Sequence, residues 1–195
     1  IARQPGSTMK PIAVYGPALG HGMTLASPLD DLPRKEGEDR LWPINWYGEY
    51  RGITTLRRSL ETSSNVNAVN CLEMIGIEKS KEYLEKFHLI NKDNLENDNF
   101  VSKSENPDSN DENTAAMALG AMNYGFTNLE LTGAYAAIAN KGVYKEPMSF
   151  SKIVDRNGRV ILEEPGDENK VFDEDVAFLI QDAMRTTTNR GVAQN

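Results

Sequence analysis

Apolar residues recur at helical spacing in several separate stretches of this chain. Ile12, Tyr15 and Leu19 follow a Pro-Gly pair at three- and four-residue intervals, which predicts a helix from Ser7 to about Leu19. Pro11 falls in its first turn, where a missing N–H costs little, Pro17 bends it late, and Gly20 and Gly22 stop it. Thr54 or Thr55 caps a short helix through Leu56 and Leu60 that ends near Ser63. A second helix runs from about Asn65 through Val66, Val69 and Leu72 to Gly76. Tyr83, Leu84 and Phe87 form the apolar face of another, from Ser80 to Phe87. Thr127-Asn128-Leu129-Glu130 has the capping-box pattern and opens a helix through Tyr135 and Ile138 to Gly142. Asn157-Gly158 lies between the β-prone runs Phe150–Val154 and Arg159–Leu162 and predicts a two-strand hairpin. Asp173 then caps a last helix carrying Val176, Phe178, Ile180 and Met184.

Two stretches break this periodicity. Met23 to Gly52 holds Pro28, Pro33 and Pro43, scattered charges, and the aromatics Trp42, Trp46, Tyr47 and Tyr50. A long irregular segment in a compact domain marks a functional or binding wall. Asn91 to Asn113 is polar, acidic and poor in apolar residues, and reads as a mobile surface excursion. It lacks the glycine and terminal glutamate of a calcium loop at the right offsets. Helices therefore dominate, with one clear antiparallel hairpin, which places the chain in the α+β or predominantly helical class.

Size and charge narrow the picture. The 195 residues suffice for one domain, and 29 acidic against 21 basic residues give a formal charge of -8. That balance disfavours nucleic acid as a partner. There is no run of eighteen apolar residues, Ile1 is not an initiator methionine, and no secretory signal stands at the start, so the sequence reads as an internal piece of a longer protein. Cys71, the only cysteine, sits in the apolar run Val69–Ile75 and reads as a buried, inert thiol. His21 and His88 have no second ligand at metal spacing.

The candidate chemistry lies in Gly6-Ser7-Thr8-Met9-Lys10. If Ser7 opens a helix, its hydroxyl sits at the positive end of the helix dipole and Lys10 lies one turn along on the same face. An amine there can take the hydroxyl proton and make the serine acylatable. Ser-x-x-Lys recurs as Ser149 to Lys152, but in a strand residues three apart point to opposite faces. Ser-x-Asn occurs as Ser63-Ser64-Asn65 and again as Ser104-Glu105-Asn106, the second copy in the acidic excursion with no rigid element to hold it. Context favours Ser7 with Lys10 and Ser63 with Asn65.

That context resembles one family through most of the chain. Arg3-Gln4-Pro5-Gly6-Ser7-Thr8-Met9-Lys10-Pro11-Ile12 resembles the nucleophile segment of the transpeptidase domain of class A penicillin-binding proteins. Pro43-Ile44-Asn45-Trp46 followed by Gly48-Glu49-Tyr50-Arg51-Gly52, the run Thr55 to Val66, and LTGAYAAIANKG at Leu131 to Gly142 are similar to later stretches of that family, in the same order. The resemblance implies the penicillin-binding-protein/serine β-lactamase-like transpeptidase fold, here over residues 1–195 as a partial domain. It implies a D,D-transpeptidase that cross-links peptidoglycan stem peptides, is acylated by β-lactams, and needs no cofactor or metal. Ser7 would be the nucleophile and Lys10 the general base. Ser63 would relay a proton to the leaving amine, and Asn65 would hydrogen-bond substrate and Lys10. Trp46 and Tyr50 are candidate walls of the substrate groove. The whole protein would be membrane-anchored at the outer face of the bacterial cytoplasmic membrane.

The family's third motif, Lys-Thr/Ser-Gly, occurs nowhere in these residues. In the family it lies on a strand along the cleft and supplies a second cation, a binding surface and a nearby oxyanion donor. Its absence reads as truncation, so the chain by itself is expected to be catalytically incompetent and to need a complementary C-terminal piece of the same domain. A serine β-lactamase, or a penicillin-sensing or scaffold domain, are the alternatives; the rate at which the acyl-enzyme is hydrolysed separates the first from a transpeptidase.

Overall fold

A computed structural model describes residues 1–36, 40–91, 99–163 and 166–194. The expected first helix is present but is not one regular helix. A 3-10 turn, Gly6–Thr8, leads into a π-helical segment, Lys10–Tyr15, and then into the short α1, Gly16–Gly20. The prolines account for the widening. Gly16 N–H reaches back five residues to Pro11 O, and Pro17 has no N–H to give to the carbonyl of Ala13. The Ser80 hydroxyl donates to that carbonyl instead, at 2.5 Å.

All six residues of the π-helical segment are buried. It is wrapped by α2 (Leu56–Glu61), α3 (Asn65–Ile75), α4 (Ile77–Lys86), α5 (Thr114–Leu119) and α7 (Glu174–Arg190). Met9, Ile12, Val14, Tyr15, Leu56, Leu72, Leu84 and Met117 are among the fully buried side chains of this single core. Each large apolar one contributes roughly 1.5–3 kcal/mol by leaving water. Cys71 is buried in the same core, and desolvation pushes its thiol up to about 12, as an inert thiol requires.

Among the described residues the strands pair two by two, always antiparallel: β1 (Pro28–Asp31) with β4 (Gly52–Thr55), β2 (Lys35–Glu36) with β3 (Arg40–Leu41), β5 (Val143–Lys145) with β8 (Glu168–Lys170), and β6 (Lys152–Val154) with β7 (Val160–Glu163). The stretch 23–52 is therefore less irregular than its composition suggests. Along β1 the two-residue period turns Leu29 and Asp31 inward and Pro28 and Asp30 outward. The β6–β7 hairpin closes through Asp155 to Gly158 as the Asn-Gly signal predicts.

α6 (Asn128–Ala139) opens with a complete capping box between Thr127 and Glu130. α7 begins after Asp173 as expected, yet Asp173 makes no cap; its carboxylate pairs with Lys170 at 2.5 Å. The excursion also differs from the expectation where it is described. Asp111, buried, accepts from Val101 N at 2.9 Å and from Asn123 N at 2.8 Å, and Phe100 is buried in the core, so residues 99–113 are tied to the body. Residues 92–98 lie outside the described residues. No helix among the described residues is long and apolar enough to cross a membrane.

Candidate active site

Ser7 is exposed in the 3-10 turn, and Lys10, one turn on, is 1% exposed. The turn is set by two glycines back to back: Gly6 N–H bonds to Gly120 O, and Gly120 caps α5 at φ +70. A Cβ on Gly120 would lie 2.3 Å from Gly6 O, so only glycine fits behind the serine. Ser7 is not a helix cap here, since the turn has no side-chain cap and its N-cap position is Pro5.

Ser63 reaches the same place from the other side. It carries a left-handed backbone, φ +51, between the end of α2 and Ser64, which caps α3 by accepting from Asn67 N. This reversal aims both the carbonyl and the hydroxyl of Ser63 at one amine. Lys10 Nζ lies 2.8 Å from Ser63 O, 3.0 Å from Ser63 Oγ and 2.7 Å from Asn65 Oδ1. Among the described residues no carboxylate pairs with the amine, and desolvation lowers its pKa from 10.5 to about 7.

The contact set has a chemical consequence. As an ammonium, Lys10 donates to all three oxygens. As a neutral amine it has two N–H donors and one lone pair. Of its three partners only the Ser63 hydroxyl can donate, because the other two are carbonyl-type oxygens. Loss of a proton from Lys10 thus turns the Ser63 hydroxyl toward it. Lys10 and the Ser63 hydroxyl can therefore stay hydrogen-bonded in either protonation state of the amine.

Ser7, Lys10 and Ser63 line one cavity of about 400 Å³, together with Leu60, Tyr135, Met184 and residues of the 187–193 stretch. Tyr135 donates to Thr8 O at 2.9 Å and so ties α6 to the turn that holds Ser7. The far wall is held by Glu61, which is buried and pairs with Arg58 at 2.5 Å and with Arg190 at 3.8 Å, while its carbonyl accepts from Val192 N. Ser7, Lys10, Ser63 and Asn65 are therefore brought together. Trp46 and Tyr50 do not line this cavity; Trp46, largely exposed, instead donates its indole N–H to Thr62 O at 2.8 Å, beside Ser63. The second copies of the motifs lie elsewhere. Asn106 closes a surface turn by accepting from Asp108 N and Ser109 N, and Lys152 pairs with Glu163 across the hairpin.

Sequence reasoning placed Asn45 only within the family-like Pro43–Trp46 stretch and assigned neither it nor Asp31 a role. Asn45, buried, accepts through Oδ1 from Ser64 Oγ, Asn65 N and Val66 N at 3.1, 2.9 and 3.2 Å. Its Nδ2 donates to the buried carboxylate of Asp31 at 2.6 Å. The family-like stretch around Asn45 was the signal on offer, and it names no partner.

The sequence profile of the penicillin binding protein transpeptidase domain matches residues 2–195. Penicillin-binding protein 1A of Clostridium tetani is 32% identical over 94% of this chain, and penicillin-binding protein 1F of Bacillus subtilis is 32% identical over 98%. The chain spans 23% and 24% of those two proteins' lengths. Among solved structures, penicillin-binding protein 1A from Haemophilus influenzae superposes with a TM-score of 0.74 at 24% identity, covering all of this chain and 31% of the other. A penicillin-binding protein A from Mycobacterium tuberculosis, solved as a ceftriaxone acyl-enzyme complex, gives 0.78 at 19% identity over 96% of this chain and 43% of that one. The fold is thus the α+β transpeptidase fold, and with the profile matched almost end to end this chain belongs to the penicillin-binding protein transpeptidase domain family.

Proposed function

We propose that this chain carries the acylation site of a serine D,D-transpeptidase that cross-links peptidoglycan stem peptides, with Ser7 as nucleophile. The observation that supports it most is the buried Lys10 amine, held by Ser63 and Asn65 and lining the same cavity as the exposed Ser7. With a pKa of about 7, a large fraction of Lys10 is neutral at physiological pH and competent as a base.

The steps follow from this arrangement. Ser7 Oγ bonds to the carbonyl carbon of the penultimate D-alanine as its proton passes to Lys10 Nζ. The Ser7 N–H serves as an oxyanion donor. Collapse breaks the C–N bond to the terminal D-alanine, whose nitrogen takes a proton from Lys10 through the Ser63 hydroxyl. An ester on Ser7 remains, and the amine of a second stem attacks it and returns Ser7 its proton. A β-lactam enters by the same first step, with the ring C–N bond as the one broken. The described residues lining the cavity include no carboxylate to activate water, which favours a long-lived acyl-enzyme over a hydrolytic lactamase. The Lys-Thr/Ser-Gly strand, absent from these 195 residues, would add a second oxyanion donor, and a complementary C-terminal piece that supplies it is the partner we expect. Lacking one such donor costs about a hundredfold to a thousandfold in rate. The site belongs at the outer face of the cytoplasmic membrane, where its stem-peptide substrate lies.

Intact-mass spectrometry after prolonged exposure to a fluorescent penicillin, with peptide mapping, tests the proposal. A single adduct on the peptide holding Ser7, absent from Ser7→Ala and accelerated by a piece carrying the missing strand, is expected. An adduct that persists in Ser7→Ala, or none at Ser7 with that piece present, would overturn it.

A further inference from the structure

The segment Ser63–Asn65 presents three oxygens to Lys10, yet little of what fixes it lies within the segment. Asn65 is the first residue of α3, where the N–H groups of the opening turn have no partner inside the helix. Two of these, Asn65 N and Val66 N, are taken by Asn45 Oδ1, as is the hydroxyl of Ser64, the residue between the two ligands of Lys10. The neighbouring carbonyl, Ile44 O, accepts from Asn65 Nδ2 at 2.8 Å. A carbonyl oxygen only accepts, so this contact holds the Asn65 amide with Nδ2 outward and Oδ1 toward Lys10. Residues 44 and 45 therefore set both the position of the Asn65 backbone and the orientation of its side chain.

The orientation of Asn45 is itself determined. An asparagine amide has a donor end and an acceptor end and works here only one way round. Asp31 decides which. Its carboxylate accepts from Asn45 Nδ2 at 2.6 Å, from Tyr47 Oη at 2.7 Å and from Arg51 N at 3.3 Å. Glu49 O also accepts from Asn45 Nδ2, at 3.1 Å. With acceptors on that side, Oδ1 must face α3. Asp31 is buried by the inward phase of β1, so the chain of contacts is anchored in a strand rather than in the loop. A buried amide with every group satisfied is rigid, and one turned round would face donor against donor at Asn65 N and Val66 N and acceptor against acceptor at Asp31 and Glu49 O.

We propose that Asn45, oriented by the Asp31 carboxylate, is a positioning residue for the acylation site: it holds Ser63–Asn65 from a separate loop and thereby fixes the cage around the Lys10 amine. The inference rests on the reading of Ser7, Lys10, Ser63 and Asn65 as that site. Burial is what lowers Lys10, and Tyr135, the other titratable side chain lining the cavity, has its own ionisation pushed up to about 12. A cage that loosens admits water and relaxes Lys10 toward its ordinary value.

The test is the titration of Lys10 in the 195-residue chain, labelled with 13Cε-lysine and followed by NMR, with Lys10→Met to assign the signal. The parent signal is expected to titrate near pH 7. In Asn45→Ala the midpoint should rise by about one pH unit or more, a tenfold change in the proton equilibrium. Asp31→Leu leaves Asn45 in place and keeps the buried volume but removes the acceptor that orients it, and should move the midpoint the same way by less; it decides the matter if Asn45→Ala does not fold. A merely structural role lowers the melting temperature and leaves the midpoint where it was. A parent midpoint near 7 that stays put in folded variants overturns this inference alone. A parent midpoint in the ordinary lysine range overturns the site reading and the inference with it.

Discussion

Replacing Lys10 with Met removes a buried amine and keeps a side chain of similar length and volume, which makes its cost to the fold measurable. Lys10 is 1% exposed and titrates at about 7 in the folded chain, against 10.5 for an ordinary lysine. Between those values the unfolded chain holds one proton more than the folded one, so stability rises with pH across that window at about 1.4 kcal/mol per pH unit. Below about pH 7 both states are protonated and the full penalty stands, on the order of 5 kcal/mol; above about pH 10.5 neither is protonated and it vanishes. The Met variant has no such dependence. It also leaves Ser63 O and Asn65 Oδ1 without their donor, at about 1–3 kcal/mol each, but that loss does not vary with pH. Urea denaturation of both proteins from about pH 6 to about pH 10 gives a difference curve in which everything else cancels. The parent should gain roughly 4 kcal/mol on the variant across that range. A flat curve would refute desolvation as the cause, and a falling one would mean that the fold stabilises the ammonium.

Three further outcomes are expected. The rate of β-lactam acylation should rise with pH through a midpoint at about 7, as Lys10 becomes neutral, and Lys10→Arg, whose guanidinium does not deprotonate, should abolish it; adduct formation on a pH series measures this. Gly120→Ala combines a strained backbone with a clash against Gly6 O, so it should cost about 1–3 kcal/mol and slow acylation at least about tenfold by moving the Ser7 turn; thermal melts and adduct kinetics read the two effects. Ser80→Ala leaves the Ala13 carbonyl unpaired and should lose about 1–3 kcal/mol in denaturant unfolding, with no change in the Lys10 titration.

The parts of this fold that could be read in the sequence were those decided locally. Asn157-Gly158 demands a tight hairpin, and Thr127 with Glu130 closes a capping box, whatever surrounds them. Ser7 and Lys10 are one turn apart by spacing alone. The chain hid what depends on distant partners. Nothing near Pro17 announces that Ser80 will take over the donor that proline lacks. Asp173 precedes a helix and has the right chemistry to cap it, but Lys170 offers a nearer charge. α5 is six residues of small apolar character and was invisible as a helix until packed. Trp46 and Tyr50 are read as candidate groove walls, but it is Asn45, between Ile44 and Trp46, whose contacts reach Ser64, Asn65 and Val66. An asparagine among three prolines and four aromatics carries no local signal of its role, because that role exists only when β1 and α3 lie on either side of it.

The widened turn before Pro17 bears on how this protein can be recombined with its relatives. The opening segment and Ser80 lie far apart in sequence, yet one supplies a bare carbonyl and the other the hydroxyl that covers it. A chimera with its crossover between them inherits the two halves from different parents. Where the donor parent has a regular helix in place of the proline, the hydroxyl is buried with nothing to bond; where it has the proline but no hydroxyl opposite, the carbonyl is bare. Viable crossovers should therefore fall before this segment or beyond residue 80, and a library of such hybrids would map the linkage from survival alone.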